Sequence, residues 1–441
     1  MQHHPLFIRL TWITMFLIPA VTGRTQESDA FIQLKKYYFS LPAKVMDTNW
    51  LITPIDSGGI NYLLPIRQAV QREKNRAVID TAAHFDLLND ALCRLTDFTS
   101  SLWYEKKLLG TLTREEQTSI QQLTKPFLTA TLLDAGKFIF QQTAGSRITL
   151  FNASYLKPYT YALLAGWLDS LFQQGYRHLA LDLLNPLQQP LREITIQDGI
   201  FTAEPVIAEF IRLAINIGFK VISCQPDYKI SSTHERKKQQ AIQLGEYFRK
   251  MPGSEKLLVV TQPEMVVLSE DKKPALPFSL YLSTWLGESC VNIDQCTLTP
   301  GSIDAMGAYL YDWLQYNKPA DKPIVPLQKN QPLLWSDPNY TALIWHPAPA
   351  YSNLRPIWMR FNGLKKSIAL PAAHQKSWLV QAYYLEEVQK RRPGSCVPAD
   401  QTYQLAGDGN YYLYLRPGKY RIIYRNMDYS LLTFRDIEVN Q

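Results

Sequence analysis

The chain has 441 residues, 46% of them hydrophobic and 12% aromatic, with a net charge of +7. That length fits two or three domains with a sizeable packed core. The positive charge is spread out, and its densest run, His234-Glu-Arg-Lys-Lys238, opens a predicted helix as a solvated face, which speaks against a nucleic-acid partner.

Residues 1–23 read as a cleavable signal peptide. Arg9 supplies a firm positive charge, and an apolar run of about a dozen residues, Leu10 to Val21, follows it; such a run is too short to span a ~30 Å hydrocarbon core. Val21, Thr22 and Gly23 form the expected cleavage site. The mature chain is therefore expected to be exported, periplasmic or extracellular, with no transmembrane segment. Residues 28–145 read mostly as helix, with an irregular connection at 50–66. Leu88, Leu92, Leu95, Phe98 and Leu102 recur at helical spacing, Thr113 to Glu116 is a capping box, and Phe127 to Phe140 is predicted helical.

From residue 146 strands and helices alternate: a strand at Ile148–Phe151, a helix from Tyr159 to Gln174, strands at His178–Leu184, Lys220–Cys224 and Lys256–Thr261, and helices after Thr202 and after the Ser232-Thr-His-Glu235 capping box. The βαβ order predicts a largely parallel sheet with flanking helices over 146–318, and such sheets bind ligands at the carboxyl ends of their strands. Residues 319–335, rich in Pro and Lys, read as a linker. Short β-type runs then fill 336–441: Tyr340–Trp345, Ile357–Phe361, Ser377–Tyr384, Tyr411–Leu415 and Tyr420–Tyr424 joined by Arg416-Pro-Gly-Lys as a hairpin, and a last strand near Leu432–Val439. The fold class is α/β, with an N-terminal helical segment and a C-terminal β-sandwich-like domain.

Several strand-end segments carry short motifs: Phe151-Asn-Ala-Ser-Tyr-Leu-Lys-Pro158, Asp182 in Leu-Ala-Leu-Asp-Leu-Leu, Asp198-Gly-Ile-Phe-Thr-Ala-Glu-Pro205, Glu235-Arg-Lys-Lys-Gln-Gln-Ala241, Gln262-Pro-Glu264 and Ile293-Asp-Gln-Cys296. In this order they resemble the superfamily that includes erythromycin esterases, the haem-binding ChaN proteins and the TIKI metalloproteases. The nearest resemblance is to a group of exported bacterial proteins with this core and a C-terminal β-domain. The resemblance covers roughly residues 146–300, with a looser match beyond. It implies an acid and two imidazoles at the first strand end, but these positions hold Ala153, Tyr155 and Leu156. The late Gly-His strand end of that group is likewise replaced by Gln262-Pro-Glu264. The resemblance therefore implies a catalytically diverged member.

The remaining polar set is Asn152, Tyr155, Asp182, Asp198, Glu204, Glu235, Arg236, Glu264 and Asp294. Each also has a purely structural place: Asp198 in a turn, Glu204 in the first turn of a helix, Glu235 in a capping box, Asp294 orienting a loop. Asp182 follows an apolar run and is expected to be nearly buried, with Arg236 as its candidate partner. Asp182 with Glu264 offers a carboxylate pair for hydrolysis, or oxygens for a hard cation; neither has a specific spacing, and no cofactor is implied. Cys290 and Cys296 are near enough in sequence for a disulfide, or else buried thiols. His178 opens a strand at the opposite edge of the sheet, a structural place. The aromatic run Trp335 to Trp358, with Tyr340, Trp345, His346 and Tyr351, suits either sugar stacking or a packed core. Three readings follow: a diverged member binding a ligand or envelope partner, an active hydrolase with a rewired acidic site, and a structural envelope protein docking through its β-domain.

Overall fold

The computed structural model describes residues 26–42, 55–56, 59–75, 80–199, 201–225, 233–263, 277–335, 339–372, 377–403 and 409–440. The signal-peptide segment, Ser232, Glu264 and His374 lie outside the described residues.

The N-terminal segment is a group of helices: α1 (Asp29–Ser40), α2 (Leu64–Lys74), α3 (Thr81–Arg94), α4 (Phe98–Leu109) and α5 (Arg114–Leu123). Ser28, Asp80, Asp97 and Thr113 cap four of them with side-chain oxygens that accept first-turn amides, and Thr113 with Glu116 forms the full capping box. The periodic run from Leu88 to Leu102 is two helices rather than one. Thr96 turns left-handed at φ 60° and Asp97 restarts the chain. The stretch read as a helix from Phe127 to Phe140 is also divided. A short helical turn over Lys125–Thr129 comes first, strand β1 (Thr131–Asp134) follows, and Asp134 then caps α6 (Ala135–Ala144). The strand forms because a distant strand pairs with it, which local periodicity cannot register.

The core continues β2 (Ile148–Asn152), α7 (Pro158–Ala165), α8 (Leu168–Gln173), β3 (Tyr176–Leu181), α9 (Pro205–Ile217), β4 (Lys220–Ser223), α10 (Thr233–Arg249), β5 (Lys256–Thr261), α11 (Phe278–Leu286), β6 (Val291–Leu298), α12 (Ala305–Asn317), β7 (Ile324–Gln328), β8 (Gln331–Pro332) and β9 (Ala342–Trp345). These strands form one nine-stranded sheet in the order β8-β7-β9-β6-β2-β5-β3-β4, with β1 paired to β7. Every neighbouring pair from β9 to β4 is parallel. The strands β1, β7 and β8 add an antiparallel margin. The first parallel strand, β2, sits between β5 and β6. Strand order reverses there, where an open α/β sheet leaves a crevice at its carboxyl edge.

Three expectations change in this region. The single helix from Tyr159 to Gln174 breaks at Gly166, where the Asn362 side chain packs so close that an added Cβ would lie 3.0 Å from it. Residues 319–335 are not a linker, since they supply β7 and β8. The strand read at Tyr340–Trp345 is β9, and it pairs with β6 of the central sheet, not with the C-terminal strands.

Beyond β9, Ile357–Arg360 is a 3₁₀ turn where a strand was expected. The C-terminal strands β10 (Lys366–Pro371), β11 (Leu379–Tyr384), β12 (Asp400–Tyr403), β13 (Asn410–Leu415), β14 (Gly418–Arg425) and β15 (Leu431–Val439) form two antiparallel sheets, β10-β13 and β12-β11-β14-β15. The Pro417-Gly418 link makes no hairpin: β13 pairs with β10, and β14 pairs with β11 and β15. The chain crosses there between two sheets that share one core, with Leu413 and Leu415 on one side and Tyr420 and Ile422 on the other.

The three segments are not separate units. One apolar cluster holds Phe31 and Leu92 from the helices, Phe151, Leu181 and Phe210 from the core, and Trp378 and Tyr414 from the C-terminal sheets. A polar seam runs beside it. Glu209 in α9 is fully buried and accepts from Arg212 (3.0 Å), Tyr384 (3.1 Å) and Arg416 (3.2 Å), with Lys365 Nζ at 3.8 Å. Burial alone would raise the Glu209 pKa, but Arg416, Lys365 and Arg212 outweigh it and hold the pKa below the usual range. Among the described residues, no helix is long and apolar enough to cross a membrane.

Candidate functional site

The sheet delivers its polar residues to the carboxyl edge because each parallel strand is an apolar run that ends on a polar residue: Asn152 on β2, Asp182 after β3, Gln225 after β4 and Gln262 after β5. Asp182 is half-buried as a residue, but its Oδ1 is enclosed and has no hydrogen-bond partner among the described residues. Its Oδ2 accepts from the backbone N–H of Gln262 at 2.7 Å. Burial pushes the Asp182 carboxyl up to about 7, against the opposing pull of that amide. The expected Arg236 ion pair is absent, because Asp182 is served by main-chain amides at its strand end.

Near this carboxyl lie further enclosed polar atoms. Tyr161, in α7, is fully buried, and its hydroxyl faces the Gln262 side chain. Burial raises its pKa well above the ordinary value; the charges of Asp182, Cys296 and Glu204 add to that rise, while the nearby Gln262 side chain opposes it. The Gln262 Nε2 is buried beside it. Glu204 caps α9, with Oε2 accepting from Ile207 N–H at 2.6 Å and Oε1 enclosed without a partner. Burial pushes Glu204 up to about 8, and the helix amides oppose this. Asp182 and Glu204 are thus two carboxyls that hold protons near neutrality, and the charges of both act on the Tyr161 hydroxyl. An unpaired buried polar atom costs about 1–3 kcal/mol, and among the described residues Asp182 Oδ1 and Glu204 Oε1 have no partner.

The other candidates separate into distinct roles. Asn152 and Asp294 meet: the Asn152 amide donates to Asp294 Oδ1 at 2.9 Å and to the Tyr340 hydroxyl at 3.1 Å, and its oxygen accepts from Gln295 N–H at 2.7 Å. Asp294 Oδ1 also accepts from the amides of Cys296 and Thr297, so this pair ties β2 to β6. Asp198 is a turn residue, accepting from the Thr195 amide at 2.6 Å and the Thr195 hydroxyl at 2.7 Å. Glu235 stands 3.9 Å from Lys238 on a half-exposed face of α10, one turn along the helix. Where the resemblance implies an acid and two imidazoles, Ala153 is fully buried, Tyr155 lies flat on Phe201 with ring centroids 3.5 Å apart, and Leu156 packs against the core.

The Cys290–Cys296 disulfide does not form, and all five cysteines are free thiols. Cys290 directly precedes β6 and Cys296 lies within it, so six extended steps of ~3.3 Å hold them about 20 Å apart, far beyond disulfide reach. His178 holds the opposite edge of the sheet together, with Tyr247 at 2.7 Å and Glu255 at 2.5 Å. Most of the aromatic run is packed: Trp345 is fully buried, Trp335 sits on Phe127 and Trp358 on Phe98 and Tyr159, while Tyr351 is 40% exposed. Among the described residues no group of three or more His, Cys, Asp and Glu side chains is placed to hold a metal ion.

Sequence reading missed Tyr161. No helical phase marks it, because α7 is buried on almost every side, from Pro158, Thr160 and Ala162 to Leu164 and Ala165. No family model matches the chain, and neither a curated protein nor a solved structure does.

Proposed function

We propose that the chain is an exported, catalytically diverged member of the esterase/ChaN-like superfamily whose strand-end site holds a ligand instead of turning one over. The carrying observation is that, among the described residues, the enclosed oxygens Asp182 Oδ1 and Glu204 Oε1 have no partner, with the buried Tyr161 hydroxyl facing Gln262 near them. A protonated carboxyl both donates and accepts, Tyr161 does the same, and Gln262 Nε2 donates. This set suits an uncharged group rich in hydroxyls or amides, because neither carboxyl carries a settled charge near neutrality. The packed Ala153, Tyr155 and Leu156 support loss of the ancestral acid–base chemistry.

The test is a thermal-shift screen of small neutral polyols, amides and macrolides on the wild type, Asp182→Asn and Tyr161→Phe. A ligand that raises the melting temperature of the wild type, with the shift lost in both variants, is expected. Absence of any hit, or hits indifferent to both variants, overturns the reading. The proton-holding Asp182 specifically favours a second reading, an active hydrolase with Asp182 as its general acid. Turnover in an esterase and phosphatase panel that Asp182→Asn abolishes would establish it.

A further inference from the structure

A cleft of about 910 Å³ opens where the N-terminal helices meet the C-terminal sheets, and it shares no residue with the strand-end site. Its floor is fixed by a bonded knot. Asp97 Oδ2 accepts from the hydroxyls of Ser28 and Ser100, at 2.7 Å each, and from Tyr403. Arg355 is buried beside it and donates to both Asp400 oxygens, at 2.6 and 2.7 Å, and to Thr96 Oγ1 at 3.1 Å.

Strand alternation builds the walls. In β13, Tyr411, Leu413 and Leu415 enter the core, so Asn410 and Tyr412 face outward into the cleft. Thr402 does the same in β12, between the buried Gln401 and Tyr403. Tyr351 leads into a tight turn at Asn353 and Leu354, both left-handed at φ 52° and 64°, which holds its half-exposed ring over the opening.

The size lies in the range of small-ligand sites, and the lining narrows the chemistry. Glu27, Asp29 and Asp97 are carboxylates. The one cation among the described lining residues, Arg355, is already matched by Asp400. Glu27 is matched by Lys35 at 2.9 Å, so a polyanion would meet the Asp29 and Asp97 carboxylates with no spare cation among the described lining residues, and a purely apolar ligand would strand the amides and hydroxyls. A sugar ring satisfies both demands, with its C–H face on a tyrosine ring and its hydroxyls toward Asn353, Asn410 and Asp29.

We propose that this cleft binds a neutral oligosaccharide, with Tyr351 and Tyr412 as its stacking surfaces. Calorimetric titration of the full chain with tetra-N-acetylchitotetraose and with cellotetraose tests it, with a heparin tetrasaccharide as the polyanionic control. At least one neutral tetrasaccharide is expected to bind at millimolar concentration or below. Tyr351→Ala or Tyr412→Ala should weaken it at least tenfold with the melting temperature unchanged. Asp182→Asn should leave it intact, which separates this cleft from the strand-end site. Absence of heat with both neutral sugars, tighter binding of heparin, or unaltered affinity in both tyrosine variants overturns the proposal.

Discussion

Asp182 and Glu204 give the strand-end site a pH signature that a charged, solvated site would lack. Both carboxyls are raised by burial, Asp182 from 3.8 to about 7 and Glu204 from 4.5 to about 8. The folded chain therefore keeps protons that the unfolded chain releases, and stability falls as pH rises from about 4 toward 8. Melting temperature measured from pH 4 to 9 should decline over that window in the wild type. Asp182→Asn with Glu204→Gln should flatten the decline, and an unaltered slope would show that the two groups do not carry it. The Asp182 position was legible because a carboxylate closing an apolar run is conspicuous. Its partner was not, because a strand end offers main-chain amides that no sequence pattern displays, and these displaced the Arg236 expectation. Glu204 was legible only as a cap; its burial is a tertiary property that local sequence does not display.

The loop that carries Asp198 and leads to Glu204 depends on one close approach. A Cβ on Gly199 would lie 2.1 Å from the Leu183 carbonyl oxygen. Gly199→Ala should therefore cost about 1–3 kcal/mol or more and move Glu204 with the loop. Chemical denaturation, together with loss of ligand binding at the strand ends, would check it. A neutral substitution would mean that the loop yields freely. At this scale the sequence was clearest where signals are local, as with the Thr113 capping box, the stop at Gly218 and the parallel strands from Ile148 to Thr261. It was weakest where a partner from afar decides. The strand at Thr131–Asp134 exists through β7, and the strands Ile324–Gln328 and Gln331–Pro332 looked like a linker because Pro and Lys at the sheet margin mimic one. Pro417-Gly418 reads as a hairpin turn, yet the strands around it pair elsewhere.

The seam centred on Glu209 binds the C-terminal sheets to the α/β core. Loss of one member of a buried charged network leaves the others uncompensated and costs about 3–5 kcal/mol. Glu209→Ala strands Lys365, which is buried and faces Arg416 and Arg355. Its melting temperature should drop by several degrees, with both ends of the molecule loosening together in hydrogen exchange. Loosening confined to the C-terminal sheets would show that the molecule is less unified than its shared core implies. Composition indicated a sizeable core but could not show that a single one runs from Phe31 to Tyr414.

The bonds from Tyr37 to Asp428 and from Tyr38 to Met427 join positions 391 and 389 residues apart. Such closures are slow, because the chain must be nearly complete before they stabilise anything. At a synthesis rate of about 5–20 residues per second, the first helix waits roughly 20–80 s for its partner. Through that interval Phe31, Leu34 and Tyr38 have no C-terminal surface to cover them. The late-closing core thus keeps the chain in a form that can still be threaded or captured, and makes loss of the last fifteen residues a defect of the first helix as well.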